Sequence, residues 1–116
     1  MSKPGPVSRK YGRTLDMVCT GRGAHPTTAL ATLVFSPGEA IPIYLSPPSE
    51  TGSERWKHVR DTWIEHDQLI LDCTRCRPET RRPKRSYPRR EFMVYLEAMD
   101  PGTFARVDIS KAATLT

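Results

Sequence analysis

Short alternations of apolar and polar residues, separated by clusters of turn-forming residues, organise the first half of this chain. Leu15, Met17 and Cys19 interleave with Asp16 and Val18, which predicts a half-buried strand. Thr20 to Pro26 is glycine-rich and predicts a tight turn. Thr28 to Phe35 predicts a second strand, with Thr28, Leu30, Thr32 and Val34 on one face. Ile41 to Leu45 predicts a short third strand at a sheet edge, because Pro42 has no N–H to give to a ladder. Ser46 to Ser53, with Pro47, Pro48 and Gly52, reads as a loop.

The second half is less regular. Trp56, Val59 and Trp63 fall at helical spacing, yet a strand starting near Thr62 fits Arg55 to Trp63 equally well. Leu69, Ile70 and Leu71 predict a buried strand leading into Cys73, with Glu65 to Gln68 as a hairpin turn joining it to Trp63 and Ile64. Arg75 to Arg85 holds two prolines and little apolar content, so it reads as a loop. Ser86 is the expected cap of a helix with Pro88 in its first turn. Phe92, Tyr95, Leu96 and Met99 then form one apolar stripe. Asp100-Pro101-Gly102 stops that helix. Phe104, Val107 and Ile109 alternate with polar neighbours and predict a terminal strand returning to the body.

Composition sharpens this outline. In 116 residues the apolar share is 37% and there are 11 prolines, so apolar burial alone gives a thin core and some other staple is expected. No apolar run approaches the roughly 20 residues of a membrane span. No apolar stretch of the signal-peptide kind follows the basic N-terminus, which predicts a cytoplasmic protein. The net charge of +5 is unevenly spread. Residues 1–13 carry four basic groups and no acid, which predicts a disordered basic arm preceding a single domain at 14–116. Residues 14–74 hold four basic against eight acidic groups. Residues 75–90 hold eight basic groups against Glu79 alone, and the last 26 residues hold two basic against four acidic. An acidic body thus carries a basic loop at 75–88, the kind of block that marks an anionic partner or a solvated loop.

The staple is legible in the three cysteines. An odd count without a secretion signal argues against a disulfide framework. Cys73 and Cys76 are separated by two residues, which lets both thiolates face one ion. Cys19 and His25 flank a five-residue turn containing Gly21 and Gly23, where positive φ turns backbone N–H groups toward a sulfur. Cys19, His25, Cys73 and Cys76 together make a closed tetrahedral set for one structural Zn²⁺ per chain. Arg22, Arg75 and Arg77 are placed to offset its net negative charge. A redox pair needs a helix starting at the cysteines, and Arg77-Pro78 does not start one. Cys19 as a plain core residue and His25 as a surface residue are the bland readings. His66 and His58 compete with His25 for the fourth position.

The Cys19 to Pro26 turn, Thr27 to Phe35, the Cys73–Cys76 pair and Arg106-Val107-Asp108-Ile109-Ser110 resemble a group of small uncharacterised zinc-ribbon-like proteins of actinobacteria and their phages. The resemblance covers about two thirds of the chain. It differs at Arg77-Pro78, where the group often has a glycine. It implies a zinc ribbon and a phage gene product, and no activity.

The fold class expected is therefore α+β, a small zinc-ribbon-like antiparallel β body with one C-terminal helix and flexible basic segments. Three function classes remain. The first is nucleic-acid binding, with Arg77, Arg81, Arg82, Lys84, Arg85, Arg89 and Arg90 on phosphates and Tyr87 stacking on a base. The second is a protein-interaction module, such as a phage factor docking on a host or virion protein through Phe92, Tyr95, Leu96 and Met99 if that stripe is incompletely covered. The third is an enzyme, which is disfavoured because a closed zinc site leaves no position for water. Glu65, His66 and Asp67 read as a polar turn, Asp61, Asp72 and Glu65 have no spacing that demands a metal, and Trp56 and Trp63 read as core. No small-molecule substrate is indicated.

Overall fold

The alternation over residues 13–35 folds as two adjacent antiparallel strands. The computed structural model describes residues 12–48, 53–73, 75–76, 84–111 and 115, with the side chains of 53–55 and 84 outside that set. Strand β1 (Arg13–Cys19) pairs with β2 (Thr28–Phe35), Leu15 opposite Leu33, with an irregularity between Met17 and Val18. Strand β3 (Ile43–Ser46) adds to the far side of β2 at the sheet edge, Ile43 opposite Phe35. Helix α1 (Ser53–His66) follows, then β4 (Gln68–Asp72), β5 (Lys84–Pro88), α2 (Arg89–Ala98) and β6 (Phe104–Asp108). The first sheet has the order β3-β2-β1-β6, and β4 and β5 form a separate antiparallel ribbon.

Alternation decides which face is buried. Leu15 and Met17 of β1, Ala31, Leu33 and Phe35 of β2, and Ile43 of β3 point into one core. The ribbon contributes Leu69, Leu71 and Tyr87 to that core, α1 contributes Trp63, and α2 contributes Phe92 and Leu96. Phe92 sits between two rings, 5.8 Å from Trp63 and 5.7 Å from Tyr87 between centroids, in the tilted arrangements that ring quadrupoles prefer. Both helices therefore anchor the same end of the ribbon, where Gln68 pairs with Pro88, and its other end leads to Cys73.

The α+β class and a helix after the Cys73–Cys76 pair are observed, and several details differ. Arg55 to Trp63 is helical, and the helix continues through Ile64 to His66, so no hairpin turn occupies Glu65 to Gln68. Trp56, Val59 and Trp63 share one stripe of α1, and the Lys57–Asp61 ion pair at 3.0 Å bridges one turn of its solvent face. Asp67, at φ 55°, reverses the chain into β4, and its carbonyl accepts from the Arg89 N–H at 2.8 Å. Lys84 to Pro88 is a strand, not loop: it supplies the backbone partner that the buried Leu69 and Leu71 require. Pro88 ends that ladder and takes the cap position of α2 without a side-chain cap bond, while the Ser86 hydroxyl donates to Gln68 Oε1 at 2.7 Å. The body is not wholly antiparallel, because β6 runs parallel to β1, and it carries two helices instead of one. Arg13, counted with the arm, opens β1. Residues 1–11 of the arm and 77–83 of the basic loop lie outside the described residues. Among the described residues no helix is long and apolar enough to cross a membrane.

Candidate metal centre

Four ligand atoms converge where β1 ends and β4 runs out. Cys19 closes β1, Cys73 and Cys76 follow β4, and His25 closes the turn between β1 and β2. All four ligand atoms lie within 4.8 Å of one another. Cys19 Sγ is 3.7 Å from Cys76 Sγ. The His25 Nε2 atom is 3.9 Å from Cys19 Sγ, 3.6 Å from Cys73 Sγ and 3.5 Å from Cys76 Sγ. A tetrahedral Zn²⁺ with Zn–S of about 2.3 Å and Zn–N of about 2.0–2.1 Å has edges of about 3.8 Å between sulfurs and about 3.6 Å from sulfur to nitrogen. The four separations above lie within about 0.3 Å of those edges, and the other two thiol pairs lie within 4.8 Å. The other two histidines are elsewhere, His58 and His66 both exposed on α1, with His66 4.0 Å from Glu65.

The first turn is shaped around its histidine. Gly21, Arg22 and Gly23 have φ of 61°, 59° and 91°, three consecutive left-handed residues. That run brings the Gly23 and His25 N–H groups onto the Thr20 carbonyl, at 3.0 and 3.1 Å. The Gly21 N–H donates to Cys19 Sγ at 3.3 Å. His25 Nδ1 lies 2.8 Å from the Pro26 carbonyl, a bond that fixes the tautomer and turns Nε2 toward the sulfurs.

A second layer, which spacing gave no means of finding, holds this turn from the far end of the chain. The Asp108 carboxylate accepts from the Thr20 N–H at 3.2 Å and from the Thr20 hydroxyl. It also accepts from the Ser110 N–H at 3.0 Å and the Ser110 hydroxyl at 2.7 Å. Ser110 in turn accepts from Arg22, the backbone N–H on its hydroxyl at 2.9 Å and the guanidinium Nε on its carbonyl at 3.0 Å. Arg22, expected to offset the charge of the centre, thus also locks its own left-handed conformation. Parallel pairing of β6 beside β1 is what delivers Asp108 to the turn, 88 residues from Thr20. The only trace in the sequence is the motif Asp108-Ile109-Ser110.

The electrostatics fit a cation. Burial, aided by the neighbouring Cys73 and Cys76 thiols and opposed by the Gly21 N–H, pushes the Cys19 thiol up to about 12. Burial raises Cys76 as well. Cys19 and Cys76 therefore favour the neutral thiol on their own, and a divalent ion held there would invert that balance by favouring thiolates. Burial by itself would raise Asp108, but the hydrogen bonds from Thr20 and Ser110 outweigh it and hold the carboxyl below its ordinary range.

Among the described residues, the expected nucleic-acid residues Arg85, Tyr87, Arg89 and Arg90 do not share one free surface. Tyr87 is fully buried against Phe92, so no base can stack on it. Arg89 is committed to the fold: its Nε pairs with Asp67 at 2.9 Å, another nitrogen donates to the Trp63 carbonyl at 3.1 Å, and it lies 4.2 Å over the Trp63 ring. Arg85 Nε donates to the Ile109 carbonyl at 3.1 Å. Arg90 is exposed, as is Arg75. Arg77, Arg81 and Arg82 lie outside the described residues, as does the Lys84 side chain. The helix stripe offered as a docking face is covered: Phe92 and Leu96 are fully buried, and Tyr95 and Met99 pack against the core. The chain matches no family model, no curated protein and no solved structure. The cluster of Cys19, His25, Cys73 and Cys76 can therefore be placed by its own geometry alone, as a site able to hold one metal ion.

Proposed function

We propose that this chain is a small zinc-stabilised binding domain of the cytoplasm, holding one structural Zn²⁺ at Cys19, His25, Cys73 and Cys76 and gripping nucleic-acid phosphates through its basic segment. The observation that carries the first half is the convergence of four donor atoms within 4.8 Å, with four of their separations close to those of a zinc tetrahedron. Zinc there supplies on the order of 10–16 kcal/mol of apparent binding energy, which offsets the thin core. The second half rests on position and charge. The segment 75–90 holds the metal ligand Cys76 near its start and runs through β5 into the first residues of α2 at its end. Arg75, Arg77, Arg81, Arg82, Lys84 and Arg90 are its cations once Arg85 and Arg89 are assigned to the fold.

Elemental analysis and a salt titration test both halves. One zinc per chain is expected in the wild type, lost or weakened in Cys19→Ser, Cys73→Ser and His25→Ala, and kept in His58→Ala and His66→Ala. Absence of zinc from protein purified without chelator removes the metal reading. Duplex binding should fall with salt, the log–log slope steepening by about 0.9 per phosphate contacted. Arg77→Ala/Arg81→Ala/Arg82→Ala should flatten that slope with zinc retained. Indifference to DNA, together with one sharp pull-down partner, would instead support the alternative of a protein-interaction module.

A further inference from the structure

We propose that Cys76 and Cys19 form a peroxide-sensitive pair, closing into a disulfide that ejects the metal ion. The proposal rests on the zinc reading above and concerns how that same centre is opened. Cys76 Sγ and Cys19 Sγ stand 3.7 Å apart, so closing to the roughly 2.0 Å of a disulfide takes a movement of under about 2 Å. The pair is not the two-residue Cys73–Cys76 spacing. It joins the end of β1 to the start of the basic segment, 57 residues away along the chain.

Exposure selects which sulfur reacts first. Cys76 keeps 9% of its surface open, whereas Cys19 and Cys73 are at 0%. Cys76 lies beyond the end of β4, outside any strand or helix. Cys19 is the fixed partner: it closes β1, and its Sγ accepts the Gly21 N–H at 3.3 Å. The odd cysteine count fits this division, two that pair and Cys73 left over. In the reducing cytoplasm proposed above, a disulfide is usually of the transient, redox-sensing kind.

Hydrogen peroxide is the oxidant. The Cys76 thiolate attacks one peroxide oxygen: an S–O bond forms, the O–O bond breaks, and the departing hydroxide takes up a proton as water. The Cys19 thiolate then attacks the sulfenic sulfur of Cys76. The S–S bond forms, the S–O bond breaks, and a second hydroxide takes up a proton. Two thiolates have then given two electrons to one peroxide, with two protons consumed and two waters made. Cys73 and His25 remain, two donors of the four, too few for a closed tetrahedral site. The metal leaves, while the new bridge keeps β1 joined to the chain after β4.

The test treats the zinc-loaded full chain with a small molar excess of hydrogen peroxide beside a zinc-indicator dye, then maps the sulfurs by mass spectrometry after trypsin. Cleavage after Arg13, Arg22, Arg60 and Arg75 puts Cys19, Cys73 and Cys76 on three different peptides, so each pairing has its own mass. One zinc released per two thiols lost and a disulfide between Cys19 and Cys76 are expected. Dithiothreitol and added Zn²⁺ should restore both thiols and the bound metal. With dimedone present and peroxide limiting, the sulfenic adduct should fall on Cys76. A Cys73–Cys76 bridge, a first adduct on Cys19 or Cys73, or zinc retained with all three thiols intact overturns the proposal. Zinc content before peroxide is added reads the metal assignment separately. Zinc-free protein that still forms the Cys19–Cys76 bridge supports the pair and removes the zinc reading, and zinc-free protein that forms no such bridge overturns both.

Discussion

A Cβ added to Gly21 would stand 2.8 Å from Cδ2 of His25 and 3.0 Å from its Nε2. The glycine therefore does two things at once: it adopts φ 61°, and it leaves the volume into which the ligand ring folds back. Gly23 has a φ of 91° but nothing within 4 Å of the corresponding position. The pair separates backbone strain from ligand displacement.

Gly21→Ala is expected to lose zinc to a chelator at least about tenfold faster than wild type, because the imidazole must move off its position. Gly23→Ala should suffer only the cost of a left-handed alanine, about 1–2 kcal/mol, and should keep its zinc. Equal release rates for the two variants would show that space around His25 does not control the centre.

Asp108 ties the first metal-binding turn to β6. Asp108→Ala strips four donors of their acceptor, and a cost of about 1–3 kcal/mol in thermal or denaturant unfolding is expected. The folded carboxyl is held below its ordinary value, so the folded protein takes up this proton less readily than the unfolded chain. The stabilisation is complete above pH of about 4, the ordinary carboxyl range, and is lost as pH falls through the lower folded value. Subtracting the melting temperature of Asp108→Asn from that of wild type at each pH isolates this group. The difference should shrink below pH of about 4, and a difference independent of pH would refute the assignment.

Arg89 links the end of α1 to the start of α2 through Asp67, the Trp63 carbonyl and the Trp63 ring. Arg89→Ala should destabilise the fold by about 1–2 kcal/mol. Arg89→Lys should not restore it, since an ammonium lacks the planar fork that meets all three partners. The salt dependence of nucleic-acid binding should be unchanged in both variants. A flattened salt slope would return Arg89 to the phosphate-binding set.

The parts legible in the sequence are those whose signal is local. Strand β2 was expected at its observed bounds, because eight residues of alternation between two turn clusters carry their own period. Helix α2 was legible from the spacing of Phe92, Leu96 and their neighbours, although its start was misassigned: Ser86 had the chemistry of a cap, but β4 needed it in a ladder. Helix α1 was ambiguous because its stripe of Trp56, Val59 and Trp63 is short and every other position except Ile64 is charged or polar. Strand β5 was not legible, since Tyr87 is its one large apolar residue and Lys84 and Arg85 suggested a solvated loop. Its conformation follows from the unpaired edge of β4, not from its own composition.

The amino-acid sequence by itself determined the donor chemistry: three thiols and an imidazole, spaced two and five residues apart around glycines that can turn, are sufficient to mark a candidate metal site. Charge along the chain likewise needed no fold to be read. Tertiary structure alone decided which donors meet and what each basic residue is free to do. His25 stands with the cysteines while His58 and His66 face solvent, Arg89 and Arg85 are spent inside the domain, and Tyr87 lies under α2. It also brought Asp108 across 88 residues to Thr20. The reason is physical: ligand spacing and periodicity act over a few residues, whereas strand pairing is set by mutual burial and backbone satisfaction between segments whose separation along the chain leaves no local mark.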